Sequence, residues 1–277
     1  MTGEQRALLS GRSPISHWWR ILVGTLLAFC TGAVLMVLTQ NPVLFPTVLM
    51  LGTFAVPSAY VAFFYDRRQL SKLTLPPIVM SFFYGGVLGV FASALLEPIF
   101  IRQLDPSSTL IVGLIEEFAK ILGVLMIARH HRHDVELDGL ILGAAAGMGF
   151  ASMESNGYAF VTFLSSGGSL SLMVGVTLLR GILSPLGHGT WTAILASVLF
   201  RESGAGRFRI NYRVIGAYLT VSILHGLWDG LPAVISAVFS SGLDVFVGQA
   251  IVAGIGLFIL HRRWSEAKRL QLKQIDL

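Results

Sequence analysis

Cysteine and charge are both scarce in this chain. Cys30 is the one cysteine among 277 residues, which excludes a disulfide framework, a cysteine-based zinc site and a redox pair. Charged residues make up 13% of the chain and hydrophobic residues 54%, which excludes intrinsic disorder and argues against a water-soluble globule. No linker rich in serine, glycine or proline divides the sequence. We therefore expect a single membrane domain over residues 1–277.

Long apolar runs follow one another along the chain. A helix needs about 20 apolar residues to cross a hydrocarbon core of ~30 Å. Eight runs approach or exceed this length, at 21–40, 43–64, 77–101, 108–128, 138–164, 171–199, 212–238 and 243–260. The first is too long for the core of a signal peptide and lacks a small-residue cleavage site, so we expect it to remain. The sequence predicts an all-α, polytopic bundle of about eight transmembrane helices in the cell membrane.

Lysine and arginine segregate between alternate loops of this arrangement. The basic segments hold Arg6, Arg12 and Arg20; Arg67, Arg68 and Lys72; Arg129 and Arg132; Arg201, Arg207, Arg209 and Arg213; and Arg262, Arg263, Lys268, Arg269 and Lys273. The opposite side holds only Arg102. The positive-inside rule therefore places both termini, with the basic tails 1–20 and 261–277, in the cytoplasm. Because these charges are spread over five segments, we expect anionic lipid headgroups as their partner, and no nucleic acid.

Acidic and histidine side chains nevertheless recur inside four of the apolar runs. They are Glu116 and Glu117, Glu154, His188, and His225 with Asp229. A charged group near the bilayer centre costs several kcal/mol, so such residues normally face a protein interior and carry function. Counting a rise of 1.5 Å per residue from the cytoplasmic ends places all six at depths of about 17–25 Å. Their common depth predicts one site.

The spacing of these residues along each helix indicates which of them can act together. Glu116 and Glu117 diverge by about 100° on a helix, so we expect one to act and the other to support it. Lys120 lies one turn further on, where it can pair with them, and Arg180 is the other basic residue within the membrane, where it can neutralise a carboxylate. His225 and Asp229, at i and i+4, share a helix face. Pro185 should kink the sixth helix just before His188.

The ordered set of motifs resembles the PrsW family of intramembrane proteases. The motifs are Glu116-Glu117-Phe118-Ala119-Lys120, Phe150 with Glu154 and Asn156, His188, and His225-Gly226-Leu227-Trp228-Asp229. The resemblance covers approximately residues 108–232, which we expect to form the catalytic core. It implies a bacterial protease that cleaves membrane-anchored proteins such as anti-sigma factors. Compared with the related CAAX prenyl endopeptidases and the CPBP family, this chain has Glu154 in place of a histidine and Asp229 in place of an asparagine.

The candidate catalytic residues that follow are Glu116, Glu117, Lys120, Glu154, His188, His225 and Asp229. The resemblance implies that Glu116 or Glu117 activates water, that Glu154 and His188 assist, and that His225 and Asp229 surround the substrate carbonyl or a metal.

Two mechanisms stay open at this point. In one, zinc is held by His188, His225 and a carboxylate such as Glu154 or Asp229. In the other, two carboxylates share a proton and no metal takes part. Two alternatives come from other functional classes: a transporter that uses the same buried groups, and an inert binding scaffold. Against the transporter, the sequence contains no long-range repeat, only the echo of His188-Gly189-Thr190-Trp191 in His225-Gly226-Leu227-Trp228.

Overall fold

A computed structural model describes residues 17–68, 70–71, 73–103, 105, 107–129, 135–203, 208–238 and 245–275. They form the helices α1 (Trp18–Thr39), α2 (Leu44–Asp66), α3 (Leu75–Phe100), α4 (Ser108–Ala128), α5 (Glu136–Ser165), α6 (Leu170–Leu183), α7 (His188–Ser203), α8 (Tyr212–Val238) and α9 (Val245–Ile275). A 3₁₀ turn, Ser184–Leu186, separates α6 from α7. Within these ranges there is no β-strand. The predicted all-α membrane bundle is confirmed.

The helices match the predicted apolar runs one by one, with α6 and α7 as the two halves of the sixth. Pro185 lies in the 3₁₀ turn between them, at the predicted kink. Six segments of the described chain are long and apolar enough to cross a membrane, Leu170–Ser203 being counted as one. The helices α4 and α5 are not among them, and these two carry Glu116, Glu117, Lys120 and Glu154. The chain is a multi-pass membrane protein, and α4 and α5 hold four of the seven candidate catalytic residues.

Polar contacts join the segments that the charge pattern places in the cytoplasm. The contacting pairs are His17 with Asp66, Ser71 with Asp138, Glu136 with Arg263, and Arg201 with Glu266. They bring the starts of α1 and α5, the α2–α3 loop, the end of α7 and the distal part of α9 to one end of the bundle, as the predicted orientation requires. Arg6, Arg12, Lys72, Arg132 and Arg207, also predicted to be cytoplasmic, lie outside the described residues.

The last helix is longer than predicted. The apolar run ends at residue 260, yet α9 continues to Ile275. A helix of 31 residues is about 46 Å long, which exceeds the hydrocarbon core. Arg263 holds the extension to Glu136 at 2.6 Å, and Glu266 holds it to Arg201 at 2.7 Å. The predicted tail 261–277 is therefore helical as far as residue 275. Residues 276–277, and 1–16 of the other tail, lie outside the described ranges.

Helix α5 is central, and its small residues let α7 approach its backbone. Gly139, Gly143 and Gly147 are spaced four apart on one face of α5. A Cβ atom at these positions would lie 2.1–2.5 Å from the carbonyl oxygens of His188, Thr192 and Ala196. No side chain fits in that gap, so glycine is what permits the contact. The packing fixes α7 against α5 at the level of His188.

Helices α4 and α8 meet in the same way. A Cβ at Gly113 would lie 2.4 Å from the carbonyl oxygen of Ser222, and one at Gly226 would lie 2.9 Å from that of Thr109. The hydroxyl of Thr109 also donates to the carbonyl oxygen of Gly226 at 2.8 Å. This close packing carries His225 directly alongside the acidic turn of α4.

Candidate active site

One turn of α4 carries Glu116, Glu117 and Lys120. The Lys120 Nζ donates to Glu116 Oε2 at 3.1 Å and to Glu117 Oε1 at 2.8 Å. The ring of Phe150 covers the ammonium, with its centroid 4.0 Å from Nζ. Lys120 is completely buried. It is an enclosed counter-ion for both carboxylates, in agreement with the pairing that the spacing indicates.

The break between α6 and α7 places His188 at the start of a helix inside the membrane. Gly187 leaves the helical conformation, with φ −106° and ψ −105°, and α7 begins at the next residue. The Lys120 ammonium donates to His188 Nδ1 at 2.8 Å. The Nε2 atom lies 3.1 Å from Glu154 Oε2. His188 therefore links the acidic turn of α4 to the carboxylate on α5.

On α8, His225 lies between carboxylates from two helices. Its Nδ1 atom is 3.1 Å from Glu117 Oε1. Its Nε2 atom is 3.4 Å from Glu116 Oε2 and 3.4 Å from Asp229 Oδ2. An imidazole that donates its Nδ1–H to a carboxylate is fixed in orientation, and its Nε2 is then directed at the other two acids.

Three further residues support the cluster and were not in the predicted catalytic set. Arg180 Nη2 donates to Glu154 Oε2 at 2.6 Å, so Arg180 lies where it can neutralise this carboxylate, as its place within the membrane suggested. Trp191 stacks on the His225 ring, with centroids 4.7 Å apart, and the Thr192 hydroxyl donates to Glu117 Oε2 at 2.9 Å. Trp191 and Thr192 carry no charge, so a search for ionisable residues in apolar runs does not find them.

A cavity of about 520 Å³ gives access to the cluster. Its lining includes Glu97, Thr109, Glu116, Glu154, Tyr158, Leu179, Arg180, His188, Trp228, Asp229 and Gln249. Glu97 is close to the end of α3, Thr109 to the start of α4 and Gln249 to the start of α9. These helix ends lie opposite the end joined by the cytoplasmic contacts. The cavity therefore runs from the end of the bundle opposite these contacts, which is the outer end in the predicted orientation, to the layer of ionisable residues.

The two neighbouring glutamates have different surroundings. Glu116 lines the cavity, whereas Glu117 is 0% exposed and does not reach it. Glu116, Glu154, His188 and Asp229 thus form the floor of the cavity, while Glu117, Lys120 and His225 lie behind them. The side chain of Asp229 is the most accessible of the carboxylates at the floor, with 39% exposure against 19% for Glu154 and 6% for Glu116.

The cluster also contains a set of side chains suited to a divalent metal. Glu116, His188 and His225 each offer a ligand atom, and the three atoms lie within 4.8 Å of one another. Two imidazoles and one carboxylate are a donor set that zinc uses in hydrolases. The charge fits as well, since Glu116, Glu117, Glu154 and Asp229 against Lys120 and Arg180 leave a formal charge of minus two. The carboxylate in this set is Glu116, whereas the sequence pointed to Glu154 or Asp229.

Comparison with known proteins adds independent information on this chain. Residues 75–260 match the family described as PrsW family intramembrane metalloprotease, and this range contains every candidate site residue. A curated relative, "Protease PrsW" of Halalkalibacterium halodurans, is 27% identical over 189 residues, which cover 66% of this chain and 82% of the relative. No solved structure matches the chain.

Proposed function

Because the chain belongs to the PrsW family of intramembrane metalloproteases, we propose that its cavity binds an extended segment of a membrane protein and that the cavity floor hydrolyses a peptide bond there. The chain is an intramembrane protease by its family. The observation that carries it is the convergence of Glu116, Glu154, His188 and Asp229, from four helices, at the floor of one cavity.

The shape of the cavity indicates the kind of substrate. It opens at the outer end of the bundle, so a bond that reaches the floor belongs to the outer part of a transmembrane helix or to the segment just outside it. Tyr158, Leu179 and Trp228 supply apolar wall surface for such a segment. A protein with one transmembrane helix and a cleavable outer segment has this form. Membrane-anchored anti-sigma factors, which the family resemblance implies as substrates, belong to this class.

Glu154 is the group best placed to move protons. It lies at the cavity floor, where the Arg180 guanidinium donates a hydrogen bond to it at 2.6 Å. As general base, Glu154 takes a proton from the attacking water and then delivers it to the leaving amine. Among the described lining residues, Arg180 is the one arginine or lysine, so it is also positioned to stabilise the negative charge that develops on the carbonyl oxygen.

Glu116, His188 and His225 would hold the metal that the family description implies. When bound there, a zinc ion supplies Lewis-acid polarisation of the substrate carbonyl and lowers the pKa of water. The remaining residues orient His225 and Glu116. Glu117 fixes His225 through Nδ1, Asp229 faces its Nε2, and Lys120 holds Glu116 in place.

Two isosteric variants test this assignment of roles. We expect Glu116→Gln to lose both bound zinc and cleavage, because it removes a ligand, and Glu154→Gln to keep zinc while losing cleavage. Zinc content and cleavage of a model single-span protein are measured on purified protein in bilayers, with Glu202→Gln at the surface pair with Arg213 as the control. The reverse result, with zinc lost only in Glu154→Gln, would restore the assignment indicated by the sequence. Full cleavage by both variants would refute the proposed function.

The family membership does not favour the alternative of a cation-coupled transporter.

A second partner is proposed for the cytoplasmic end of α9. Arg262 lies over Phe258 and Lys268 over Trp264, with 5.9 Å from the cation to the ring centroid in each case. Basic residues beside aromatic rings are typical of the membrane interface, so we expect this part of α9 to bind anionic lipid headgroups.

A further inference from the structure

Glu117 is an unusual carboxylate because it is completely buried and all of its contacts are internal. Its Oε1 accepts from Lys120 Nζ at 2.8 Å and from His225 Nδ1 at 3.1 Å. Its Oε2 accepts from the hydroxyl of Thr192 at 2.9 Å. Three donors from three helices therefore fix both oxygens. Because the Thr192 hydroxyl is the donor to Oε2, it determines the rotation of the carboxylate about the Cγ–Cδ bond.

Thr192 itself is held rigidly. It is 0% exposed and lies one turn after His188 on α7. Its carbonyl oxygen would be 2.4 Å from a Cβ at Gly143, and its hydroxyl oxygen 3.1 Å from one at Gly147. The close contact between α5 and α7 therefore sets the position of the hydroxyl. That position is transmitted to Glu117, and from Glu117 to the ring of His225.

We propose that Thr192 is a positioning residue of the protease: its hydroxyl orients Glu117, and Glu117 in turn holds His225 Nδ1 so that Nε2 faces Glu116 and Asp229. The inference rests on the proposed function of the cavity and names a residue of α7 that does not reach the substrate. Loss of the hydroxyl leaves Oε2 of a buried carboxylate without its donor, so Glu117 turns and the His225 ring follows. Partners of this indirect kind typically contribute 10–100-fold to metal affinity or activity.

The substitution that isolates the hydroxyl is Thr192→Val, with Thr192→Ser as the variant that keeps it. Thr177→Val is a matched control, since Thr177 is also 0% exposed but donates its hydroxyl to Met173 of its own helix. We expect kcat to fall about tenfold in Thr192→Val with KM near wild type, because the substrate-binding walls are untouched. Thr192→Ser and Thr177→Val are expected to retain kcat.

A spectroscopic measurement tests positioning without using activity. In protein labelled with ¹⁵N-histidine and reconstituted in bilayers, the Nδ1–H resonance of His225, assigned by its absence in His225→Gln, reports the bond to Glu117. We expect this resonance to shift or broaden in Thr192→Val and to remain in place in Thr192→Ser and Thr177→Val. A resonance that stays in place in Thr192→Val overturns the inference. If Glu116→Gln and Glu154→Gln both cleave normally, the proposed function fails, and the resonance still decides whether Thr192 positions His225.

Discussion

Replacement of Lys120 by methionine is expected to destabilise the protein severely. Methionine keeps an unbranched apolar side chain but removes the ammonium, which is 0% exposed. The ammonium contacts Glu116 Oε2 at 3.1 Å, Glu117 Oε1 at 2.8 Å and His188 Nδ1 at 2.8 Å. Its loss leaves two adjacent carboxylates without the cation that compensates them inside the membrane domain.

The expected magnitude follows from this geometry. Unit charges about 4 Å apart attract by roughly 4 kcal/mol at an effective dielectric constant of 20, and much of that offsets the cost of burying them. Removing one partner of a buried pair typically costs about 3–5 kcal/mol, because the other charge stays buried. We therefore expect Lys120→Met to lower the free energy of unfolding by about 3–5 kcal/mol. Reversible unfolding in mixed detergent micelles, followed by tryptophan fluorescence, measures it.

Two comparisons make this prediction sharp. Lys268→Met removes a lysine on the exposed face of α9 and should leave the free energy of unfolding unchanged. The double variant Glu117→Gln with Lys120→Met should regain part of the loss, since it removes one of the uncompensated carboxylates. If Lys120→Met is as stable as wild type, or if the double variant is no more stable than the single one, Lys120 is not the counter-ion of this cluster.

Further predictions concern packing and orientation. Gly149→Ala should destabilise the protein by about 1–3 kcal/mol, because its Cβ would lie 1.8 Å from the carbonyl oxygen of Phe82. Gly157→Ala should have no such effect, since a Cβ there has no atom within 4 Å. Equal melting temperatures for the two variants would contradict the packing of α3 against α5. In a variant without its native cysteine, a cysteine at Asp105 should react with an impermeant maleimide from outside intact cells, and one at Lys268 only after permeabilisation. Labelling of residue 268 in intact cells would reverse the orientation.

The sequence was a good guide to the fold because membrane crossing imposes a length on each helix. The predicted run 108–128 coincides with α4, and 212–238 coincides with α8. The predicted end of the last helix, at residue 260, was wrong because hydropathy records only the apolar part of a helix. Arg263 and Glu266 extend α9 beyond that part through ion pairs with α5 and α7. Pairings of this kind depend on which helices are neighbours, which hydropathy does not record.

For the site, counting residues from the loops gave the depth of each side chain but not its direction around the helix. Depth was enough to indicate that Glu116, Glu154, His188 and His225 share a layer. It did not show that Glu116, His188 and His225 bring ligand atoms within 4.8 Å of one another, because that depends on the lateral arrangement of α4, α7 and α8. Thr192 was missed for a related reason, since its role arises from the contact of α7 with α4.

The most direct test of the account is the metal dependence of peptide-bond cleavage by the purified protein in bilayers. A model single-span substrate is incubated with protein as purified, after chelation, and after zinc is restored, and the metal content is determined at each stage. The account predicts bound zinc in the active protein, loss of cleavage with loss of the metal, and recovery of both together. Undiminished cleavage by protein that contains no metal would contradict it.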